Sequence, residues 1–150
     1  MTRLTNAHGG AFATGEARFT SQPAHEVDLL TRIHLPIEIG TVPTLAVLDT
    51  GGAYLMLDPL VAMRVKLGAA IETDQLVIRG FVIAGTVHRI PVTIPADVGE
   101  PLTFEATAFV PELEDGEFWP LPSYLGWQGC LDRIRLALDP RDERVYFGAA

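Results

Sequence analysis

The stretch VLDTGGA, residues 47–53, drives a branched apolar run straight into a carboxylate and then into residues with almost no side chain. An unpaired carboxylate at the end of a core strand is costly, so Asp49 needs partners in place. Glycine lets bare backbone N–H groups approach an oxygen closely, and Gly51 and Gly52 stand where they could supply such groups. Asp49 is therefore either a turn residue that follows a strand or a group held there for acid–base work. The other chemistry-bearing residues make weaker constellations. His8, His25, His34 and His88 are dispersed, with neither HxH nor HExxH spacing, so no metal site is predicted. Cys130 has no histidine near it in sequence and reads as a buried structural thiol. Neither GxxxxGK[ST] nor GxGxxG after a strand is present, which leaves a nucleotide-binding fold without support. Glu112, Glu114, Asp115 and Glu117 read as a solvated loop, and Asp139-Pro140 as a turn before the last strand. Trp119 and Trp127 flank the acidic loop, where they either line a groove or pack the loop down.

The elements that must position Asp49 are short and extended. Glu16 to Thr20, Val27 to Leu35 and Ile37 to Ile39 read as strands, Gly40 to Pro43 as a turn, and Leu45 to Leu48 as a buried strand entering Asp49. Asp58 as N-cap, Pro59 in the first turn, an apolar face of Leu60, Met63 and Leu67, and Gly68 as a stop predict one short helix. From Ile71 to Ile94 the sequence predicts a hairpin tipped by Arg79-Gly80, with a bulge or second bend at Ala84-Gly85. The alternating LTFEATAFV is a further strand, PELEDGEFWPLP a surface loop, Cys130 to Arg135 one or two helical turns, and RVYFG a final strand. Many strands and little helix mean a mostly-β barrel or sandwich.

These pieces, in this order, resemble the retropepsin-like aspartic proteases, the single-lobe relatives of the two-lobed pepsins. IEIGTVPTLAVLDTGGAYLML is similar to that family's active-site hairpin. GFVIAGTVHRIPVTI stands where the family places the returning strand of its flap, and Ser123-Tyr124-Leu125-Gly126 resembles its second hydrophobic–hydrophobic-Gly element. DRIRLALDPRDERVYFG is similar to the closing helix, strand, turn and strand of cellular and bacterial members, so the resemblance spans residues 33 to 148. It implies a closed barrel of six to nine strands with one or two short helices. A domain over residues 27–150 is expected, preceded by an N-terminal arm or first strand over residues 1–26. The implied activity is peptide-bond hydrolysis, with no cofactor and no metal, on a peptide or protein substrate.

The same resemblance implies a homodimer in which each chain gives one Asp49 to a shared pair. Thr50 would cross the dimer axis and bond the partner's loop, while Gly51 and Gly52 would turn N–H groups toward the carboxylates. Ile78, Arg79 and Gly80 would form the flap and meet substrate, and Tyr124, Leu125 and Gly126 the second hydrophobic-Gly element. The chain departs from the family pattern at Gly52, where Ala, Ser or Thr is usual, and at Ala53, where a short polar residue is common. Its flap tip has one glycine, Gly80, where viral flaps have several. Two other readings stay open: a non-catalytic dimerisation or peptide-binding module of the same fold, and an unrelated barrel in which Asp49 only caps a turn.

Composition limits the partners. The 150 residues carry 11 basic and 19 acidic side chains, a net charge of −8, which argues against nucleic acid or an anionic membrane as the main partner. A single cysteine makes no intrachain disulfide and points to a reducing compartment. With neither an apolar signal segment at the start nor a stretch of transmembrane length, the expected location is the cytoplasm.

Overall fold

The computed structural model describes residues 4–150. Its strands are β1 (Gly15–Arg18), β2 (Thr20–Gln22), β3 (Arg32–Ile39), β4 (Val42–Ala53), β5 (Leu55–Met56) and β6 (Glu72–Ile78). They continue with β7 (Phe81–Ile94), β8 (Val98–Gly99), β9 (Leu102–Pro111), β10 (Ser123–Gln128), β11 (Ile134–Asp139) and β12 (Arg144–Ala149). One helix, α1 (Pro59–Arg64), and a 3-10 turn over Leu131–Arg133 complete the set. The protein is mostly β, as its turn-punctuated alternation predicts.

Ring closure makes this a barrel. β3 and β4 form a hairpin about Gly40, whose φ of +60° suits a residue without Cβ. β4 then pairs in parallel with β10, β10 with β5, β5 in parallel with β9, and β9 with β7. Glu38↔Thr93 and Ile39↔Val92 bring β7 back to β3, so six strands close on themselves. β2 and β6 are added outside the ring, on β3 and β7. A second sheet runs β11-β12-β1-β8. The core alternates as pleating requires: Leu35, Ile37 and Ile39 of β3 are buried with Val92 and Ile94 of β7 and Phe147 of β12.

The structure differs from the sequence expectations at several places: β3 runs unbroken through Pro36, β4 already begins at Val42, and the helical turn ends at Arg133, where β11 takes over. The extended run expected from Glu16 to Thr20 is split at Phe19, which is buried and donates its N–H to Glu143 O while the chain passes from one sheet to the other. The strand expected from Val27 begins only at Arg32. A turn closed by Asp28 N–H to His25 O precedes it, and Val27, Leu29 and Leu30 stay exposed because they have no neighbouring strand. In α1 the cap is as expected, with Leu60 N–H donating to Asp58 Oδ1 at 2.8 Å and Pro59 in the first turn. Its buried residues, however, are Val61 and Ala62; Leu60 and Met63 face solvent, and the helix ends before Leu67 and Gly68. Six residues are too few for a 3.6-residue period to choose the face, and contact with β4 and β9 chooses it instead. Finally, Ala84-Gly85 is neither a bulge nor a bend, since β7 keeps its register through it. Gly85 is there for space: a Cβ would lie 2.4 Å from both Phe109 Cζ and Val110 O.

Candidate active site

Asp49 sits late in β4, opposite Gly126 in the parallel register that also pairs Val47 with Tyr124 and Leu48 with Leu125. This pairing sets the backbone of the aspartate against a strand that arrives from far along the chain. Gly126 has to be glycine, because a Cβ there would meet Tyr54 O at 2.2 Å and Ala53 C at 2.8 Å. Its N–H donates to Tyr54 O at 2.8 Å, and Tyr54 N–H donates to Gln128 O at 2.9 Å. The two bonds strap residues 49–54 to β10 and hold Tyr54 at a φ of 60°, a region costly for a bulky residue. Gly126→Ala is accordingly expected to cost about 3 kcal/mol of stability, the upper end for overpacking, because the colliding atoms are backbone. A denaturant midpoint equal to that of the native sequence would contradict this.

The two glycines after Asp49 do different work. Gly51 N–H donates to Asp49 Oδ1 at 3.1 Å, fixing one oxygen. Gly52 contributes space: a Cβ there would stand 3.0 Å from Asp49 Oδ2. The carboxylate is thus anchored on one side and uncrowded on the other, with the residue half-buried. Of the two N–H donors that the sequence suggests, Gly51 is the one that bonds.

Above the aspartate lies the β6–β7 hairpin. Its tip is Arg79-Gly80, with φ of 51° and 84°, the positive pair that a tight two-residue hairpin turn requires. The Arg79 guanidinium reaches Asp28 Oδ1 at 3.4 Å, so the tip is tied to the segment before β3. Lower on the hairpin, Tyr54 Oη donates to Asp74 Oδ2 at 3.2 Å, joining the flap to the loop that carries Asp49. Burial, reinforced by that bond, raises the Tyr54 pKa. Burial likewise pushes Tyr124 up against the opposing pull of Arg79. Both phenols are therefore neutral at working pH.

Between the hairpin and β4 is a cleft of about 490 Å³. Asp49, Gly51 and Gly52 line it from below, Ile78 and Arg79 from above, and Tyr124 and Gly126 from the side. Three residues singled out by sequence lie elsewhere: Thr50 is exposed beside the cleft, Gly80 is on the outer flap tip, and Leu125 is buried in the barrel core. The cleft walls also include Met56, Leu76, Leu121 and Arg32, which sequence reasoning missed. Leu76 was readable from its two-residue spacing to Ile78; the others depend on long-range pairing. Asp49 is the single carboxylate in the cleft lining.

The remaining candidates for chemistry are structural. Cys130 is fully buried and its thiol is pushed up to about 12, chiefly by burial, so it holds no reactive thiolate at neutral pH. His88 is buried between Gly68 O, 3.1 Å from Nδ1, and Thr86 Oγ1, 2.9 Å from Nε2, where it pins the segment after α1 to β7. His34, also buried, has Nδ1 3.1 Å from Arg32 O. Among the described residues no three His, Cys, Asp or Glu side chains gather as ligands. No helix among them is long and apolar enough to cross a membrane.

No family model and no curated protein matches the sequence. Among solved structures, the chain is similar to a retropepsin-like aspartic protease from Rickettsia conorii, with a TM-score of 0.53 and 18% identity. That similarity covers 91% of this chain and 93% of the other. With its closed six-strand ring, its flap and the Asp49–Gly126 register, the chain has the retropepsin-like aspartic protease fold.

Proposed function

We propose that the protein is an aspartic endopeptidase in which two Asp49 carboxyls, one from each subunit of a homodimer, activate a water. The observation that carries this reading is Asp49 itself: the single acid of a cleft beneath a flap, one oxygen held by Gly51 N–H and the other left uncrowded by Gly52. One carboxyl cannot both take a proton from water and polarise a carbonyl, so a second copy has to complete the site. A two-fold axis brings the same residue from each chain. Thr50 is exposed beside Asp49, which leaves its side chain accessible to a partner's loop.

The chemistry follows from like-charge repulsion, as known of aspartic-protease dyads: two adjacent carboxylates share one proton. The ionised member accepts a proton from the water as it attacks, and the protonated member donates toward the carbonyl oxygen. The apolar walls, Leu48, Met56, Leu76, Ile78 and Leu121, suit an extended peptide with apolar residues about the scissile bond. Closure of the β6–β7 hairpin over it excludes bulk water. The single buried thiol fits a reducing, cytoplasmic setting.

Because only the singly protonated pair works, the rate of peptide cleavage is expected to pass through a maximum at acidic pH and to fall on both sides. A rate climbing steadily into the alkaline range would instead indicate a nucleophilic mechanism. A second reading, a non-catalytic peptide-binding module, draws support from the Arg79–Asp28 pair, which ties the flap tip to its own chain. Loss of hydrolysis in Asp49→Asn separates the two, since the module has no hydrolysis to lose.

A further inference from the structure

We propose that the cleft continues into an outer groove that selects substrates carrying a basic side chain outside the residues flanking the scissile bond. This rests on the peptidase reading for its purpose, though not for whether the groove binds. A second hollow of about 610 Å³ lies between the flap strand β7 and the loop after β9, and it shares Ile78, Arg79 and Leu121 with the cleft. An extended chain leaving the cleft past the flap therefore enters it.

The groove is built rather than incidental. Glu112 N–H donates to Ala84 O at 3.0 Å, fastening the loop to β7. Farther on, Glu114 N–H donates to Glu117 Oε2 at 2.9 Å, and Glu117 N–H to Glu114 O at 3.0 Å, which fixes the loop's shape. Its walls are apolar and open: Phe81, Val82 and Phe118 are 72%, 66% and 79% exposed. Trp119 also lines it, and the buried indole N–H of that residue has no acceptor among the described residues.

Charge decides the occupant. Glu112, Glu114 and Glu117 edge the groove, and none of them forms an ion pair among the described residues. The cationic neighbour, Arg79, is already engaged by Asp28, and His25 is the one other basic residue of the lining. A lysine or arginine side chain suits both features at once. Its aliphatic stem covers Phe81 and Phe118 while its head stays wet beside the carboxylates, and the aromatic faces add cation–π attraction. An acidic side chain in the same place meets three like charges, against one arginine already paired with Asp28.

The test reads binding without cleavage. Fluorescent decapeptides with a fixed apolar centre and a Lys or Glu scanned through the outer positions are titrated into the Asp49→Asn protein, and anisotropy is followed. At one outer position the Lys peptide is expected to bind about tenfold more tightly than its Glu counterpart, the factor a few exposed charge pairs supply together. The ratio should shrink as salt is added. Glu112→Lys with Glu114→Lys and Glu117→Lys should invert it, which a merely destabilised loop would not do. Should that variant fail to fold, the milder Glu→Gln substitutions should bring the ratio near one. Equal binding of Lys and Glu peptides, binding of neither, or a Lys preference that survives the charge reversal overturns the proposal. So do carboxylate variants that shift only the dimer constant, because the groove would then be an interface between copies. Basic preference in binding with no hydrolysis by the native protein leaves the groove standing and removes the peptidase reading. Hydrolysis without charge preference does the reverse.

Discussion

Asp49→Asn is expected to lower peptide hydrolysis at least about a thousandfold while leaving the fold in place, since in the proposed mechanism both proton transfers pass through this residue and each such role contributes roughly 10²–10⁴. The substitution is nearly isosteric, and the asparagine carbonyl can still accept the Gly51 N–H that now bonds Oδ1 at 3.1 Å. No core contact is lost, because Asp49 is half-buried and lines the cleft. What disappears is a group able to exchange a proton with water. Thermal melting should stay within a few degrees, and should rise if two carboxylates repel one another across an axis. The measurement is cleavage of a mixed peptide library by native and variant protein, each with its melting curve. A folded variant that retains full activity would remove Asp49 from the chemistry, and with it the acid-protease mechanism.

How far the sequence discloses this site depends on the range of the interaction that sets each part. Local signals are clear. Gly40 turns one hairpin and Arg79-Gly80 the other, Asp58-Pro59 starts the helix, and period-two alternation marks β3, β7 and β9. Each of these is decided within a few residues, by φ preference, capping or pleating. The Asp-Thr-Gly run and Tyr124-Leu125-Gly126 are legible as separate pieces. That they lie side by side follows from a parallel register, and the close approach of Gly126 to Tyr54 O explains the glycine only after folding. Gly85 shows the opposite failure. Its sequence context suggests a bulge, yet the cause is Phe109 on a neighbouring strand.

Other features had no local trace. The change of sheet at Phe19 depends on Glu143 O, and the exposed Val27, Leu29 and Leu30 read as part of a strand because nothing nearby in sequence says that no partner strand is there. The bond from Tyr54 to Asp74 and the pair of Arg79 with Asp28 join segments that are far apart in the chain, so they appear only when the barrel closes. Together these two ties determine how the flap sits over Asp49.

Activity is also expected to vanish on dilution below the dimer constant, because a lone chain offers one carboxylate where the proposed mechanism uses two. Asp49 has no acidic neighbour in the cleft lining, and Gly126, its partner in register, brings none. Two other acids lie along the flap and not in the cleft lining: Asp74 accepts from Tyr54, and Asp28 pairs with Arg79 through Oδ1. A mixing experiment gives the stricter form of the test. With about a ninefold excess of Asp49→Asn chains and random pairing, roughly one tenth of native chains find a native partner. If mixed dimers are inactive, activity per native chain falls about tenfold, while adding the same excess of an unrelated protein changes nothing. Exchange of subunits has to be verified in the same samples, for instance by energy transfer between differently labelled chains. Specific activity that holds constant under both dilution and variant excess, with exchange verified, would mean that each chain works alone. The single Asp49 would then need a catalytic partner from its own chain, and the shared-site mechanism would be wrong.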